Sequence, residues 1–272
     1  MDIRYCVCDL DGTLLDSRGR LSEANVLALK KLMARGAQVF LATGRSDLFV
    51  KEFVNRLGLT TPVISCNGGL IRDLDTGEVL FRKVIGAAQA ALLTDFCLEN
   101  QYDTLAYTTE HVYFLSGSQK IGAYHRYNSE VAAAFQVPLR EVHRQADLPL
   151  PDVIKFLISG IIPQIAAQIQ GERPGDNSLS MVQSMPNVLD IMAAGITKGN
   201  ALQFLADRQV IELARTVVFG DNHNDISMLE LAGLPITVAN AEPAVKKIAR
   251  FIAPSNDESG VAYAIEKYIL EG

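Results

Sequence analysis

Residues 5–16 read YCVCDLDGTLLD, a short apolar run that ends in Asp9 and Asp11, followed by Gly12 and Thr13. Two neighbouring carboxylates repel each other, so this stretch is either an acidic turn or a site that holds a cation and does chemistry. Three further apolar runs end in polar groups: AQVFLA in Thr43, Gly44 and Arg45; PVIS in CNGG, with Asn67 and Gly68; and TVVF in GDNHND, with Asp221, His223, Asn224 and Asp225. Lys198 opens the helical stretch KGNALQFLADRQ. Each has a plain reading when taken alone. Asp and Asn suit turns, a Thr-Gly pair often starts a helix, a lone Lys is usually solvated, and an acidic turn can cap a helix. Together these plain readings would have to hold independently at the ends of different strands, and that shifts the weight toward one shared site.

The elements that must carry these residues follow from periodicity. After YCVC, Ser22 can cap a helix over LSEANVLALKKLMARG, with Glu23 in its first turn, Ala24, Leu27, Ala28 and Leu32 on one face and Gly36 at its end. A second helix is expected from Ser46 to about Leu57, then PVIS, then a hairpin of GLIRDL and EVLFRK turning at DTG. TVVFG and PITVA are strands of the last third, separated by helices. Alternating strands and helices predict a Rossmann-like α/β core, a parallel sheet flanked by helices, whose ligands bind outside the carboxyl ends of the strands. The middle reads as paired strands (DTLAYT with HVYFLS, SLSMVQ with NVLDIM) around VIKFLIS, which predicts an inserted α+β module. The expected division is a core of residues 1–83 and 194–272 and an insert of residues 84–193.

Composition narrows the function. At 272 residues and 49% hydrophobic, the chain can bury a large core. No apolar run approaches the ~20 residues that cross a bilayer, and no leader with a cleavage site is seen, so the expectation is a cytoplasmic protein. A net charge of −6 argues against a nucleic-acid surface, but not against an anionic substrate at one locally cationic cleft. Cys6, Cys8, Cys66 and Cys97 have neither CxxC nor zinc-like spacing and read as reduced, packed thiols.

In order and spacing, DLDGT, the TGR threonine, the lysine of TKG, and GDNHND resemble the haloacid dehalogenase superfamily of phosphohydrolases. The position of the insert, CNGG and the closing NDESGVAYAIEKYI resemble its Cof-type subgroup with a type IIB cap. The resemblance implies Asp9 as a nucleophile that forms an aspartyl-phosphate, and Asp11 as the acid that protonates the leaving group and then the base that activates water. It implies Mg²⁺ as cofactor, held by the carboxylates of Asp9 and Asp221 and the backbone carbonyl of Asp11. Asp225 would support the metal, through water or by orienting Lys198. Thr43, the Gly44 amide, Lys198 and Asn224 would hold the phosphoryl oxygens; Arg45, Asn67 and Gly68 would bind substrate. His223 sits at a variable position and reads as a solvent-facing loop residue. TVAN before Ala241 lacks the Gly or Met often found there, at a position expected to stand apart from the chemistry.

The implied function is a Mg²⁺-dependent phosphatase for a small phosphorylated metabolite, with neither nucleic acid nor membrane as partner. Phosphotransfer without net hydrolysis, as in a phosphosugar mutase, would use the same two aspartates. Dehalogenation at carbon is disfavoured by Asp11. A slow phosphometabolite sensor would be marked by loss of an acidic residue, and none is lost.

Overall fold

A computed structural model describes residues 2–172, 177–185 and 187–271. In chain order its elements are β1 (Tyr5–Cys8), α1 (Glu23–Ala34), β2 (Gln38–Leu41), α2 (Lys51–Leu57), β3 (Val63–Ser65), β4 (Leu70–Arg72) and β5 (Val79–Arg82). Next come α3 (Ala87–Glu99), β6 (Asp103–Tyr107), β7 (Val112–Leu115), α4 (Ile121–Glu130), β8 (Leu139–Val142), β9 (Lys155–Ser159), α5 (Ile162–Glu172), β10 (Leu179–Met185) and β11 (Val188–Ala193). The chain closes with α6 (Lys198–Asp207), β12 (Thr216–Phe219), α7 (Ile226–Leu229), β13 (Leu234–Val238), α8 (Pro243–Ile248), β14 (Phe251–Ala253) and α9 (Gly260–Ala264).

Two compact units result: Met1–Arg45, Phe53–Leu80 and Thr197–Gly272 in the first, Ser46–Glu52 and Phe81–Ile196 in the second. The first is built on a five-stranded parallel sheet in the order β14-β13-β12-β1-β2. Cys6, Val7 and Cys8 in β1 and Val217, Val218 and Phe219 in β12 are wholly buried, as strands covered on both faces must be. Because the strands run parallel, Asp9, Ala42 and Gly220 leave the sheet at the same edge. β3 meets this sheet through a single parallel bridge, Ala42 to Ile64, and otherwise pairs antiparallel with β4.

Three local expectations shift. Ser22 does cap α1, accepting from the Asn25 amide at 3.2 Å. The buried face of that helix, however, is Asn25, Val26, Ala28, Leu29 and Leu32, while Leu27 is half exposed. The helix expected from Ser46 is broken at Val50 (φ −124°, ψ 0°) into a 3₁₀ turn, Asp47–Phe49, and α2. The closing helix widens into a π-helical stretch, Ile265–Leu270.

The second unit is a six-stranded sheet, β10-β11-β9-β6-β7-β8, antiparallel except where β7 and β8 run parallel. Alternate residues Phe156 and Ile158 in β9 and Leu189 and Ile191 in β11 join one apolar core with α3 and α5. Among the described residues, no helix is long and apolar enough to cross a membrane.

Candidate active site

β1 delivers Asp9 buried at its carboxyl end, where the Asp9 amide still donates to the Phe219 carbonyl of β12 at 2.9 Å. α6 begins at a Thr197 cap, whose hydroxyl accepts from the Asn200 amide at 3.0 Å, and this places Lys198 at the first helical position. Far from being solvated, Lys198 is fully buried; its Nζ donates to Asp9 Oδ1 at 2.5 Å and to Asp225 Oδ1 at 2.6 Å. The other Asp225 oxygen accepts from the Asp221 and Asn222 amides at 2.9 and 3.0 Å, which folds the GDNHND loop around that carboxylate. Asp225 therefore orients Lys198 and its own loop with both oxygens. Asp221 is tied to the first loop by the Thr13 hydroxyl, which donates to Asp221 Oδ1 at 2.7 Å.

Asp9, Asp221 and Asp225 each offer an oxygen within 4.8 Å of the others. Burial pushes the Asp9 carboxyl well above the usual carboxylate range; Lys198 opposes this, and the charges of Asp225, Asp221 and Asp11 reinforce it. Burial likewise raises Asp221 to about 6, against the Thr13 hydrogen bond and with help from Asp225. Burial works against the charge on Lys198, but Asp225 and then Asp9 outweigh it and hold its pKa above the ordinary lysine value. Two buried carboxylates, Asp9 and Asp225, and the partly buried Asp221 against this one ammonium form a negative, oxygen-only donor set, which fits a hard divalent cation.

Asp11 stands outside this buried group. Its carboxylate is half exposed and gripped by the Arg45 fork, Nε to Oδ2 at 2.8 Å and Nη2 to Oδ1 at 2.6 Å. Thr43 is buried, and its Oγ1 accepts from the Arg45 amide at 3.1 Å. Asn67, in the left-handed region (φ 56°), accepts at Oδ1 from Asn224 Nδ2 at 2.9 Å and packs against Gly44, where a Cβ would come within 3.0 Å of it. Gly68 (φ +99°) lies so close to the Thr197 carbonyl that no side chain fits. His223 is exposed. All four cysteines are free and buried; a hydrogen bond with Cys6, then burial, hold the Cys8 thiol well above its ordinary value.

Two contributors escape motif reading. Thr13 lies inside DLDGT but shows its use only through Asp221. Asn240, in the TVAN segment, donates from Nδ2 to the Gly12 carbonyl at 2.7 Å.

Residues 6–265 match the haloacid dehalogenase-like hydrolase family. The chain belongs to that family. This hydrolase is 29% identical to the Escherichia coli pyridoxal phosphate phosphatase YbhA, over 99% of its own length and 100% of the relative's. It is also 29% identical to the Bacillus subtilis 5-amino-6-(5-phospho-D-ribitylamino)uracil phosphatase YwtE, over 96% of each. The crystal structure of a haloacid dehalogenase-like hydrolase from Bacteroides thetaiotaomicron superimposes with a TM-score of 0.85 at 26% identity, covering 97% of this chain and 99% of that one. The fold is also that of BT4131, described as a subclass IIB sugar phosphatase, which superimposes with a TM-score of 0.81 at 21% identity and covers 97% of this chain and 98% of that one. The enzyme is a phosphatase.

Proposed function

We propose that this hydrolase is a Mg²⁺-dependent phosphatase for a metabolite of the sugar phosphate or cofactor phosphate class, working through an aspartyl-phosphate on Asp9. The observation that carries the reading is the buried Asp9 carboxylate, locked through Oδ1 by Lys198 beside Asp221 and Asp225. Asp9 and Asp221, with the backbone carbonyl of Asp11, would hold Mg²⁺, and Asp225 supports them by orienting Lys198. Bound there, the ion supplies charge neutralisation for the phosphoryl oxygens and for the clustered carboxylates.

In the first half-reaction Asp9 Oδ2 bonds to phosphorus, the bond to the substrate oxygen breaks, and Asp11 passes its proton to that oxygen. In the second, Asp11 takes a proton from water, the water oxygen bonds to phosphorus, and the Asp9–phosphorus bond breaks to return the carboxylate and free phosphate. Lys198, Thr43, the Gly44 amide and Asn224 surround the transferring oxygens, with Asn67 bracing Asn224 and Gly44. To serve as acid, Asp11 exchanges the Arg45 fork for the leaving oxygen. Arg45 is then available to the rest of the substrate, and Asn67 and Gly68 line the same edge.

The relatives named for pyridoxal phosphate and for a ribitylamino-uracil phosphate support the cofactor class of substrate. The test is phosphate release across a panel of sugar and cofactor phosphates, with Mg²⁺ and then with EDTA. Metal-dependent release concentrated on one chemical group is expected. No release from a folded protein would move the reading to a mutase or a sensor.

A further inference from the structure

The loop after Asp9 carries Asp11, Gly12 and Thr13, and within it one parallel bridge joins Asp11 to Leu15. The amides of Thr13, Leu14 and Leu15 all point at one acceptor, the Leu10 carbonyl. The carbonyls of Gly12, Leu14 and Leu15 are taken instead by three asparagine side chains from distant segments. Asn240 donates to Gly12 at 2.7 Å, Asn25 to Leu14 at 2.9 Å and Asn256 to Leu15 at 2.9 Å. The Asn240 carboxamide is committed at both ends, because its Oδ1 accepts from the Asn256 amide at 2.9 Å. A carbonyl on one side and an N–H on the other allow only one orientation of that group. Asn240 is exposed, so packing does not account for its place.

We infer that Asn240, braced by Asn256, is a positioning residue for catalysis: it fixes the Gly12 peptide and thereby the approach of the Asp11–Thr13 turn to Asp221. Gly12 is the loosest point of that turn, a glycine at φ +82°, and it sits so close to the Asp221 carboxylate that no side chain fits. Anchoring its carbonyl fixes the Gly12–Thr13 peptide plane, which leads to Thr13, whose hydroxyl holds Asp221, and so restricts rotation about the Gly12 Cα next to the Asp11 carbonyl. The same segment reaches the second acidic loop directly, since the Glu242 amide donates to the Asp221 carbonyl at 2.9 Å. Residues 240–242 thus tie together the two loops that carry the acidic groups.

The inference rests on the Mg²⁺-dependent phosphatase reading, and the test separates the two. Mg²⁺ binding by calorimetry, kcat and KM for the best phosphate of the panel, and Tm in EDTA are measured for the parent, Asn240→Ala and Asn240→Asp. Loss of a group that orients a metal site from behind typically costs 10–100-fold, so Asn240→Ala is expected to weaken Mg²⁺ about tenfold and lower kcat comparably, with KM within about twofold. Asn240→Asp keeps the acceptor for Asn256 and loses the donor to Gly12. Its added charge alone would tighten Mg²⁺, so weaker binding isolates the lost donor. Parent-like Mg²⁺ affinity and kcat in both variants, with or without a lower Tm, overturn the positioning role and leave the phosphatase reading intact. A parent that neither binds Mg²⁺ nor turns over overturns both.

Discussion

Asp9 and Asp11 are two residues apart in sequence and differ in environment, and in the proposed mechanism that difference divides their labour. Asp9 is buried against a lysine; Asp11 is half exposed and held by an arginine fork. Asp9→Asn is expected to abolish turnover, by roughly 10⁴-fold or more, while the fold persists. Appreciable residual activity would remove Asp9 as the nucleophile. Asp11→Asn is expected to slow both half-reactions by about 10²–10⁴-fold with Tm nearly unchanged, because the side chain is only partly buried. Rapid-quench measurement of phosphoenzyme formation and decay reads each step, and parent-like rates would count against the acid–base role. Lys198→Met tests the hub differently. It strips the shared ammonium from two buried carboxylates, so a stability loss of about 3–5 kcal/mol should accompany the loss of activity in urea unfolding. At this scale the sequence displayed the residues well, since Asp9, Lys198, Asp221 and Asp225 do converge. What it hid was the pairing, for nothing in TGR says that Arg45 grips Asp11, and nothing in TVAN says that Asn240 reaches Gly12.

Elements place these groups by their ends, and the start of α6 depends on a glycine. Gly68 follows the left-handed residues Cys66 and Asn67 and presses against the Thr197 carbonyl, at the cap that starts α6 and aims Lys198. Gly68→Ala would put a methyl into that carbonyl and strain a positive φ, so α6 must shift. About 1–3 kcal/mol of stability and most of kcat should be lost together. A variant with parent-like Tm and kcat would show that the α6 cap is not set from this loop. Strands and helices with strong periodicity were legible: β1, β2, β12, β13 and the insert strands in DTLAYT, VIKFLIS and NVLDIM all form. The elements that stayed hidden carry weak signals. β14 is three residues with an exposed Ile252, β8 (LREV) buries only Val142 thoroughly, and α5 follows an exposed Ile161 and has a proline at its second helical position. The α1 face was misread because Asn25 is buried for its hydrogen bonds, donating to Leu14 and accepting from the Ala262 amide, rather than for apolar packing.

For the whole molecule, the clustered carboxylates make stability depend on pH, and the proposed ion would link that dependence to metal. Asp221 titrates at about 6 in the folded chain, above its ordinary 3.8, and Asp9 is displaced in the same direction. Below pH ~4 both are protonated in folded and unfolded chains alike, and the stabilising difference is fully present. As pH rises from there through about 6, the folded chain holds more protons than the unfolded one, so stability falls; Asp221 alone accounts for up to about 3 kcal/mol. Asp16 and Asp73, held below the ordinary range by hydrogen bonds from Arg20 and Thr76, act in the opposite sense but are only partly buried at the surface and weakly coupled to folding. A divalent cation competes with those protons, binds best once they have left, and restores stability in proportion to its occupancy, about 2.7 kcal/mol at a hundredfold excess over Kd. The expected outcome is a Mg²⁺-minus-EDTA difference in Tm that is small near pH 5 and large near pH 7.5. Thermal unfolding at the two pH values decides it: an equal shift at both, or none at either, would mean that the acidic group does not hold the ion, whatever the enzyme does to phosphate esters.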